Sequence, residues 1–556
     1  MAWSILHSLV ALPILTFGLA APLVGRLRLH PAESLALTAG LSWLIVFNIA
    51  FAAYLGGVPG LLAWPIYGVA MIGLWLGRRE LIRWFRCRFT RAMIGWFGML
   101  LLWCLAYQAV SPIYSYGDWF GDWYEHYERM LFFVERRPLD TLFLGQYSLT
   151  ARPPMQNGCQ AVVAMLAGTS FVVFQISATF LAVITSLPVF LLVRRMARGS
   201  GPPVAVAAGL LALGWPFVVH ATFTWTKAFS ACYVLLGIAL YLRGTAIRQL
   251  LAFVALAAGV VVHYSSAVVL VPLVIWHLMQ HATSVRALSR AVLVGVPGAV
   301  VLLPWVIFVT MRFSEGLLGG TSSASMAKAA DSSWASNAMF NFLVSLVPLY
   351  SKNTLLLERP RFSFDLLYVR DLIFMFTMSN WLGSSGLTGL LMAAQEAVWW
   401  RRRPWSIPVG QLGFWLWLFA GSLAVLCVSH PSIPKWGICH IAMLPFVLGC
   451  AAWIAGAWPR LTPAIRGVMV LLAGLQSAGM LLNAFLLVGR ISEAGERLLP
   501  LTSNGSKNML IKSALKITFL ADLAEVARTP MFTALLAGAV GWMTILLMHV
   551  FSRKHS

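Results

Sequence analysis

Stretches of about 20 apolar residues recur along the whole chain, separated by short polar or basic segments. A helix of that length crosses the hydrocarbon core of a bilayer, since each residue adds about 1.5 Å. Hydrophobic residues make up 60% of the sequence and charged residues 10%, whereas soluble domains carry about 25% charged residues. The pattern predicts an all-α polytopic membrane protein with about 13–15 transmembrane helices and short amphipathic helices in its outer-face loops.

The net charge of +22 comes from basic residues clustered between the apolar runs. This placement is typical of cytoplasmic loops. No basic face interleaved with aromatic residues is visible, so nucleic acid is not an expected partner. Placing the strongest cluster, Arg78 to Arg91, in the cytoplasm puts loops 112–157, 312–370 and 490–530 on the outer face.

The predicted topology divides the chain into three parts. Residues 1–93 supply N-terminal transmembrane helices, residues 94–460 form a transmembrane core that carries the outer loops 112–157 and 312–370, and residues 461–556 supply C-terminal helices with the outer segment 490–530. Within the core, the uncharged stretch 158–193 is predicted to hold one full span and a short helix that packs without crossing. A pair of full crossings there would place the following arginines on the wrong side.

The loop at 112–157 gathers charged residues among aromatic ones, and such groups at a membrane surface are costly unless they are used. If residues after Gly121 are helical, Asp122, Glu125, His126 and Arg129 share one face. A carboxylate there can act as a general base towards a hydroxyl group. The alternative is an interfacial helix whose acids face water. A divalent metal at 118–126 is left unassigned, and no cofactor is certain.

The segment Arg152-Pro153-Pro154 opens the next apolar stretch. An arginine at the start of a helix can bind an anionic head group through two hydrogen bonds, and proline presets the first turn. Phosphate is favoured near a helix N-terminus. The alternative is an arginine that reaches past the apolar surface to water.

These elements resemble the GT-C superfamily of membrane glycosyltransferases, in particular the lipid A aminoarabinose transferases and the protein O-mannosyltransferases. The resemblance covers roughly residues 94–460 and implies a GT-C-like fold, with an Asp of the first outer loop as catalytic base. Asp122 is the matching position. Asp118 stays open because Trp123 stands where the family usually has a second acid. Arg152 looks like the counterpart of a lysine that contacts the lipid phosphate of the donor.

Two later segments are similar to the family in kind. Thr222–Ala228 opens a span where relatives often have a Thr-Asp-type motif, and Lys227 departs from it. Cys439–Pro445 is similar to a late Arg-Tyr-x-x-Pro-type segment, with His440 in place of a cation or aromatic residue. Other candidates for binding an anionic donor or acceptor near the outer face are His263, Arg359 and Arg361. Each of these is also consistent with a structural place at the interface.

The leading hypothesis is a hexosyl- or pentosyltransferase that takes a sugar from a polyprenyl-phosphate donor in the bilayer. The acceptor is a glycan, a glycolipid or a protein at the outer face. Asp122 or Asp118 is the predicted base, and Arg152, Glu125 and His126 the predicted binding residues. A transporter or flippase of a lipid-linked or anionic substrate is the alternative, although charges cluster at one face and no repeat is evident. Abundant arginine and tryptophan favour a bacterial inner membrane, with the active site towards the periplasm.

Overall fold

The computed structural model describes residues 2–110, 122–145, 147–197, 203–314, 409–429, 438–488 and 528–551. Throughout these ranges the secondary structure is helical, apart from an isolated antiparallel bridge between Phe143 and Tyr147. The predicted all-α class is therefore confirmed over the described part of the chain.

The helices of the first part of the chain follow one another with short connections. They are α1 Ala2–Gly18, α2 Ala21–Gly25, α3 Pro31–Gly56, α4 Pro59–Leu76, α5 Arg78–Arg86, α6 Arg88–Val110, α7 Asp122–Glu135, α8 Met155–Ala167, α9 Phe171–Val183 and α10 Ser186–Met196. The stretch 158–193 thus holds a short helix, α8, and one long span, Phe171–Met196, as the sequence predicts.

Further helices follow residue 202. They are α11 Val204–Leu213, α12 Trp215–Thr222, α13 Lys227–Tyr241, α14 Ala246–Val262, α15 Ala267–His281, α16 Val285–Arg312, α17 Val409–Ser429, α18 Ile438–Ala457, α19 Pro463–Val488 and α20 Arg528–Phe551. The predicted outer loop 312–370 lies outside the described residues, except for its first three residues.

Within the described ranges, seven helices are long and apolar enough to cross a membrane, or up to nine if each of two bent pairs is one span. Three shorter apolar helices lie at Lys227–Tyr241, Ala246–Val262 and Gly413–Val425. The chain is a multi-pass membrane protein.

Two predicted features differ from the structure in detail. The arginine cluster after residue 77 was expected in a loop, but it forms helix α5, bent by 61° from the helix before it. The apolar stretch 204–222, long enough for one predicted span, is broken between Leu213 and Trp215, where α11 and α12 meet at 70°. Gly214 ends α11, and Pro216 cannot continue it because proline lacks the N–H and its ring clashes with the preceding turn.

By its internal contacts the chain divides into two compact units. The first comprises Met1–Leu187, Val219–Phe229 and Leu481–Gly538, and the second Pro188–Val218, Ser230–Met480 and Ala539–Ser556. Helices α7 and α8 lie in the first unit. The functional division at residues 93 and 460 stays a prediction.

Helix α7 is packed into the first unit by aromatic side chains. The Tyr54 hydroxyl of α3 donates to the Arg137 carbonyl over 3.1 Å, and the Tyr54 ring lies 4.9 Å from the ring of Phe132. On the other side, the Tyr127 hydroxyl donates to the Thr169 carbonyl over 2.9 Å, and its ring meets that of Phe171. These contacts hold α7 against α3 and the start of α9, and they orient its polar face.

Candidate active site

Helix α7 carries three buried charged or polar side chains within about one turn of each other. Glu125 and His126 are fully buried, and Arg129 is 1% exposed. Residues at i and i+4 lie above one another on a helix, so Glu125 and Arg129 meet directly. The helix expected after Gly121 is present, and among its acids Glu125 is buried and does not face water.

The Glu125 carboxylate lies between two guanidinium groups. Its Oε1 accepts a hydrogen bond from Arg129 Nε over 2.7 Å, and its Oε2 is 3.0 Å from Arg152 Nη2. A buried ion pair offsets the cost of its desolvation only when its geometry and hydrogen bonds are good. Together the three side chains hold two positive charges and one negative charge, so Glu125 neutralises one of the two arginines.

Arg129 is bound on every side of its guanidinium group. It donates to the carbonyl oxygens of Leu149 over 3.1 Å and of Ser148 over 2.9 Å, and it lies 4.3 Å from the Phe143 ring centre. Arg129 therefore ties the segment that precedes Arg152 to α7. This attachment fixes the backbone from which the Arg152 side chain extends.

His126 connects Arg152 to the first turn of α8. Arg152 Nη1 lies 3.3 Å from His126 Nε2, and His126 Nδ1 lies 3.4 Å from Asn157 Oδ1. Arginine has no acceptor, so His126 Nε2 must accept and Nδ1 must carry the proton. Asn157 Nδ2 donates to the His126 carbonyl over 3.0 Å, which leaves Asn157 Oδ1 as the acceptor for Nδ1. This pair of contacts fits an imidazole that accepts at Nε2 and donates from Nδ1.

Arg152 lies just before the start of α8. Pro154 is the N-cap residue, and the helix begins at Met155, as the arginine-proline-proline segment predicts. The Arg152 side chain is 18% exposed, so it is partly accessible while its guanidinium group contacts Glu125 and His126. The structure thus brings together three residues that the sequence selected separately.

Glu128 stabilises the loop that follows α7. One of its carboxylate oxygens accepts a hydrogen bond from the Leu144 backbone N–H over 2.8 Å. Leu144 has a φ of +51° and Gly145 a φ of +69°, so this turn is strained at Leu144 and benefits from the bond. Burial raises the pKa of the Glu128 carboxyl group above its ordinary value. This hydrogen bond and the nearby arginines lower that pKa, but their effect is smaller than that of burial.

Lys227 begins helix α13, and its side chain is 5% exposed. Its ammonium group lies 3.7 Å from the centre of the Trp225 ring, a close cation–π contact. The preceding loop is tied to α8, since Gln156 Nε2 lies 3.5 Å from the Thr224 carbonyl oxygen. Gln156 and Asn157 are neighbours, so the first turn of α8 connects to both the Lys227 loop and His126.

Other predicted site residues are not placed in this cluster. Asp118, Arg359 and Arg361 lie outside the described residues, as do the side chains of Asp122 and His440. The backbone of Asp122 is the first residue of α7. His263 lies in the second unit, where its Nδ1 is 2.9 Å from Ser265 Oγ.

The sequence-based selection missed two contributors, Arg129 and Asn157. Arg129 was placed on the polar face of α7 but was not chosen as a site residue. Asn157 belongs to a polar group at the start of an apolar helix, with Gln156 and Gln160. That spacing of amides, one and four residues apart, was the available signal, because buried amides in a membrane helix need partners.

Within the described ranges, no group of three or more His, Cys, Asp and Glu side chains could hold a metal ion. Glu125 already faces two guanidinium groups, which would repel a cation. The described part of the cluster therefore fits an anionic ligand better than a metal.

No protein-family model matches the sequence, and no curated protein matches it. Two crystal structures are similar to the chain, both of ArnT from Cupriavidus metallidurans, one bound to undecaprenyl phosphate and one in the apo state. Each alignment covers 82% of this chain and 76% of the ArnT chain, with a TM-score of 0.42. The sequence identity is 14% to the undecaprenyl phosphate complex and 16% to the apo structure. The chain is a multi-pass helical membrane protein similar in structure to ArnT.

Proposed function

We propose that this protein is a membrane glycosyltransferase that moves a sugar from a polyprenyl-phosphate donor to an acceptor at the outer face of the membrane. The observation that carries the proposal is the buried group of Glu125, Arg129 and Arg152, which holds an excess positive charge at the start of an apolar helix. A protein that binds a lipid phosphate needs a positively charged site of this kind close to the bilayer surface.

Arg152 is the residue proposed to bind the donor phosphate. Its guanidinium group is partly accessible, and the N–H groups of the first turn of α8 lie directly after it. A guanidinium group and a helix N-terminus both favour phosphate oxygens. Glu125 and His126 position Arg152 and do not themselves contact the donor, because both are fully buried. Lys227 is proposed to assist through its positive charge.

The proposed reaction is a displacement at the anomeric carbon of the donor sugar. Asp122 removes the proton from the acceptor hydroxyl group, the oxygen attacks the anomeric carbon, and the bond to the phosphate oxygen breaks. Arg152 stabilises the negative charge that develops on the departing lipid phosphate. Asp122 begins α7, one turn before Glu125 and His126, which supports it as the proposed base, and Asp118 is the alternative base.

The surroundings proposed for this chemistry are the inner membrane of a bacterium, with the site towards the periplasm. The arginine clusters between spans support that orientation. The acceptor is a glycan, a glycolipid or a protein, and His263, Arg359, Arg361 and His440 are proposed to contribute to binding.

The test is transfer from a mixed pool of polyprenyl-phosphate sugars by purified wild type, Asp122→Asn and Asp118→Asn. Loss of a general base costs about 100- to 10,000-fold in rate, so Asp122→Asn should lose most of its transfer. Asp140→Asn is the matched control, since Asp140 is an exposed carboxylate of the same predicted outer loop. Full transfer by Asp122→Asn would exclude that residue, and a wild type that releases no lipid phosphate would exclude the function.

A second candidate function is a transporter or flippase of a lipid-linked substrate. The break between α11 and α12 favours it, because discontinuous helices line the substrate sites of many transporters. Vesicles containing the protein separate the two functions. A flippase moves labelled lipid between leaflets with its sugar–phosphate bond intact, whereas the glycosyltransferase breaks that bond.

A further inference from the structure

The first 110 residues contain eight arginines and two acidic residues, with no lysine or aspartate. Both acids are buried, since Glu33 is 0% and Glu80 6% exposed. Most of the arginines are exposed, namely Arg26, Arg28, Arg78, Arg79, Arg86, Arg88 and Arg91. The surface of this region is therefore strongly positive, because its two acidic residues are buried and do not neutralise the exposed arginines.

Helix α5 presents three different faces. Glu80 and Trp84 point inwards, and the Trp84 indole N–H donates to Glu80 Oε1 over 3.0 Å and lies 3.2 Å from Ser34 Oγ. Ile82 and Phe85 are apolar and about half exposed, at 49% and 56%. The third face is a basic edge. It is formed by Arg79, Arg83 and Arg86, which follow the i, i+4 and i+7 spacing of one side of a helix.

The basic edge of α5 continues onto the loop after α2. Arg83 is 3.0 Å from Glu80 and also donates to the Leu29 carbonyl oxygen, which joins the loop to the helix. Arg26 and Arg28 lie in this loop and are exposed. We call Arg26, Arg28, Arg79 and Arg86 the basic platform. Arg83 is not counted in the platform, because its guanidinium group joins the loop after α2 to helix α5.

The orientation of α5 matches that of a helix lying on a membrane surface. It is bent by 61° from the apolar helix before it, and it has exposed apolar residues beside arginines. Helices of this composition lie in the interface plane, with apolar side chains among the acyl chains and basic ones at the phosphates. Trp75 supplies the aromatic side chain typical of the membrane–water interface. It is 64% exposed, and its ring centre lies 4.7 Å from the Arg78 guanidinium carbon.

We propose that the basic platform is a binding site for the phosphate groups of acidic phospholipids, with Ile82 and Phe85 against their acyl chains. Guanidinium groups pair with phosphate through two hydrogen bonds. Clusters of four to eight basic residues beside a transmembrane helix bind anionic lipid head groups. The adjacent apolar side chains favour a lipid over a soluble anion. The proposal is independent of the glycosyltransferase function, because the platform shares no residue with the Arg152 cluster.

The experiment is a titration of the purified full-length protein in detergent with cardiolipin and with phosphatidylcholine, counting bound lipid by native mass spectrometry. The variant replaces three platform residues, Arg28→Gln, Arg79→Gln and Arg86→Gln. Each basic residue near an anionic surface contributes about fivefold to binding, so cardiolipin affinity should fall on the order of 100-fold. Phosphatidylcholine binding should not change.

The matched control removes the same charge from another exposed basic group, with Arg243→Gln, Arg286→Gln and Arg290→Gln. This variant should keep cardiolipin affinity within about threefold of wild type, because the proposal places the bound lipid on the basic platform and these three arginines lie outside it. Equal losses in the two triple variants, or wild-type affinity in the platform variant, would overturn the proposal. Arg86→Gln alone, expected to lose about fivefold, serves if the triple variant does not fold.

Discussion

At the scale of single residues, the candidate site is organised by one buried carboxylate. Glu125 contacts Arg129 and Arg152, and these arginines have different surroundings. Arg129 is 1% exposed and bound to backbone carbonyl groups, whereas Arg152 is 18% exposed. The same carboxylate thus anchors one structural arginine and positions one that a ligand can reach. Removing one partner of such a buried pair typically costs about 3–5 kcal/mol.

Glu128 gives the loop around this site a pH-dependent stability. Burial raises the pKa of its carboxyl group above the ordinary value of 4.5, so the folded state binds this proton more tightly than the unfolded chain. The free energy of unfolding therefore falls as the pH rises from about that ordinary value through the raised pKa. Glu128→Gln keeps an acceptor for the Leu144 N–H and removes the titration.

Thermal unfolding of wild type and Glu128→Gln between about pH 4 and pH 7 measures this effect. The stability of wild type relative to the variant should decrease as the pH rises. Glu135→Gln, which removes an exposed carboxylate of the same helix, controls for the loss of one negative charge. If the difference in melting temperature between wild type and Glu128→Gln stayed constant with pH, the Glu128 carboxyl group would not titrate as proposed.

At the scale of elements, close helix crossings decide the packing of the N-terminal part. Helices α1 and α4 touch through backbone atoms, since a Cβ on Gly73 would meet the Gly18 carbonyl oxygen and a Cβ on Gly18 would meet that of Ala70. Gly73 and Gly77 follow the spacing of small residues at interfaces between membrane helices. That spacing is visible in the sequence and could have predicted the crossing.

Gly73→Ala should therefore lower the stability of the protein by about 1–3 kcal/mol, because the added methyl group forces α1 and α4 apart. Gly68→Ala is the matched control in the same helix, since a Cβ there would meet nothing within 4 Å. Without a clash, alanine in place of glycine favours the helix by about 0.5–1 kcal/mol. Apparent melting temperatures in detergent should thus shift in opposite directions. Equal shifts would contradict the close crossing.

At the scale of the whole molecule, apolar runs predicted the seven described helices that are long and apolar enough to cross a membrane, because length and apolar composition alone decide whether a helix can cross a bilayer. The helix formed by Arg78–Arg86 was not predicted. Its arginines are typical of a loop between spans, and its order depends on Trp84 and Glu80 packing inwards. The segment Thr222–Ala228 was predicted to open a span, and α13 begins within it, at Lys227.

The candidate site was predicted in part. Glu125, His126 and Arg152 were selected from the acidic loop and from the arginine-proline-proline segment, and the fold brings them together. The role of Arg129 depends on carbonyl groups 19 and 20 residues later in the chain. Sequence spacing cannot reveal such a contact, because it exists only once the loop has folded back onto α7.

The central claim is that Arg152, held by Glu125 and His126, binds a lipid phosphate. The measurement that tests it most directly is equilibrium binding of a polyprenyl phosphate to purified wild type, Arg152→Ala and Arg152→Lys, with melting temperatures recorded. Hydrogen bonds to charged groups contribute about 1.5–3 kcal/mol, so Arg152→Ala should weaken binding on the order of 10- to 100-fold, and Arg152→Lys less.

Arg137→Ala is the control, since it removes a more exposed arginine paired with Glu135 in the same loop, and it should bind like wild type. Wild-type affinity in both folded Arg152 variants would contradict the account and move the phosphate away from the start of α8. Weakened binding in the Arg152 variants, with Arg137→Ala unchanged, is the result that the account predicts.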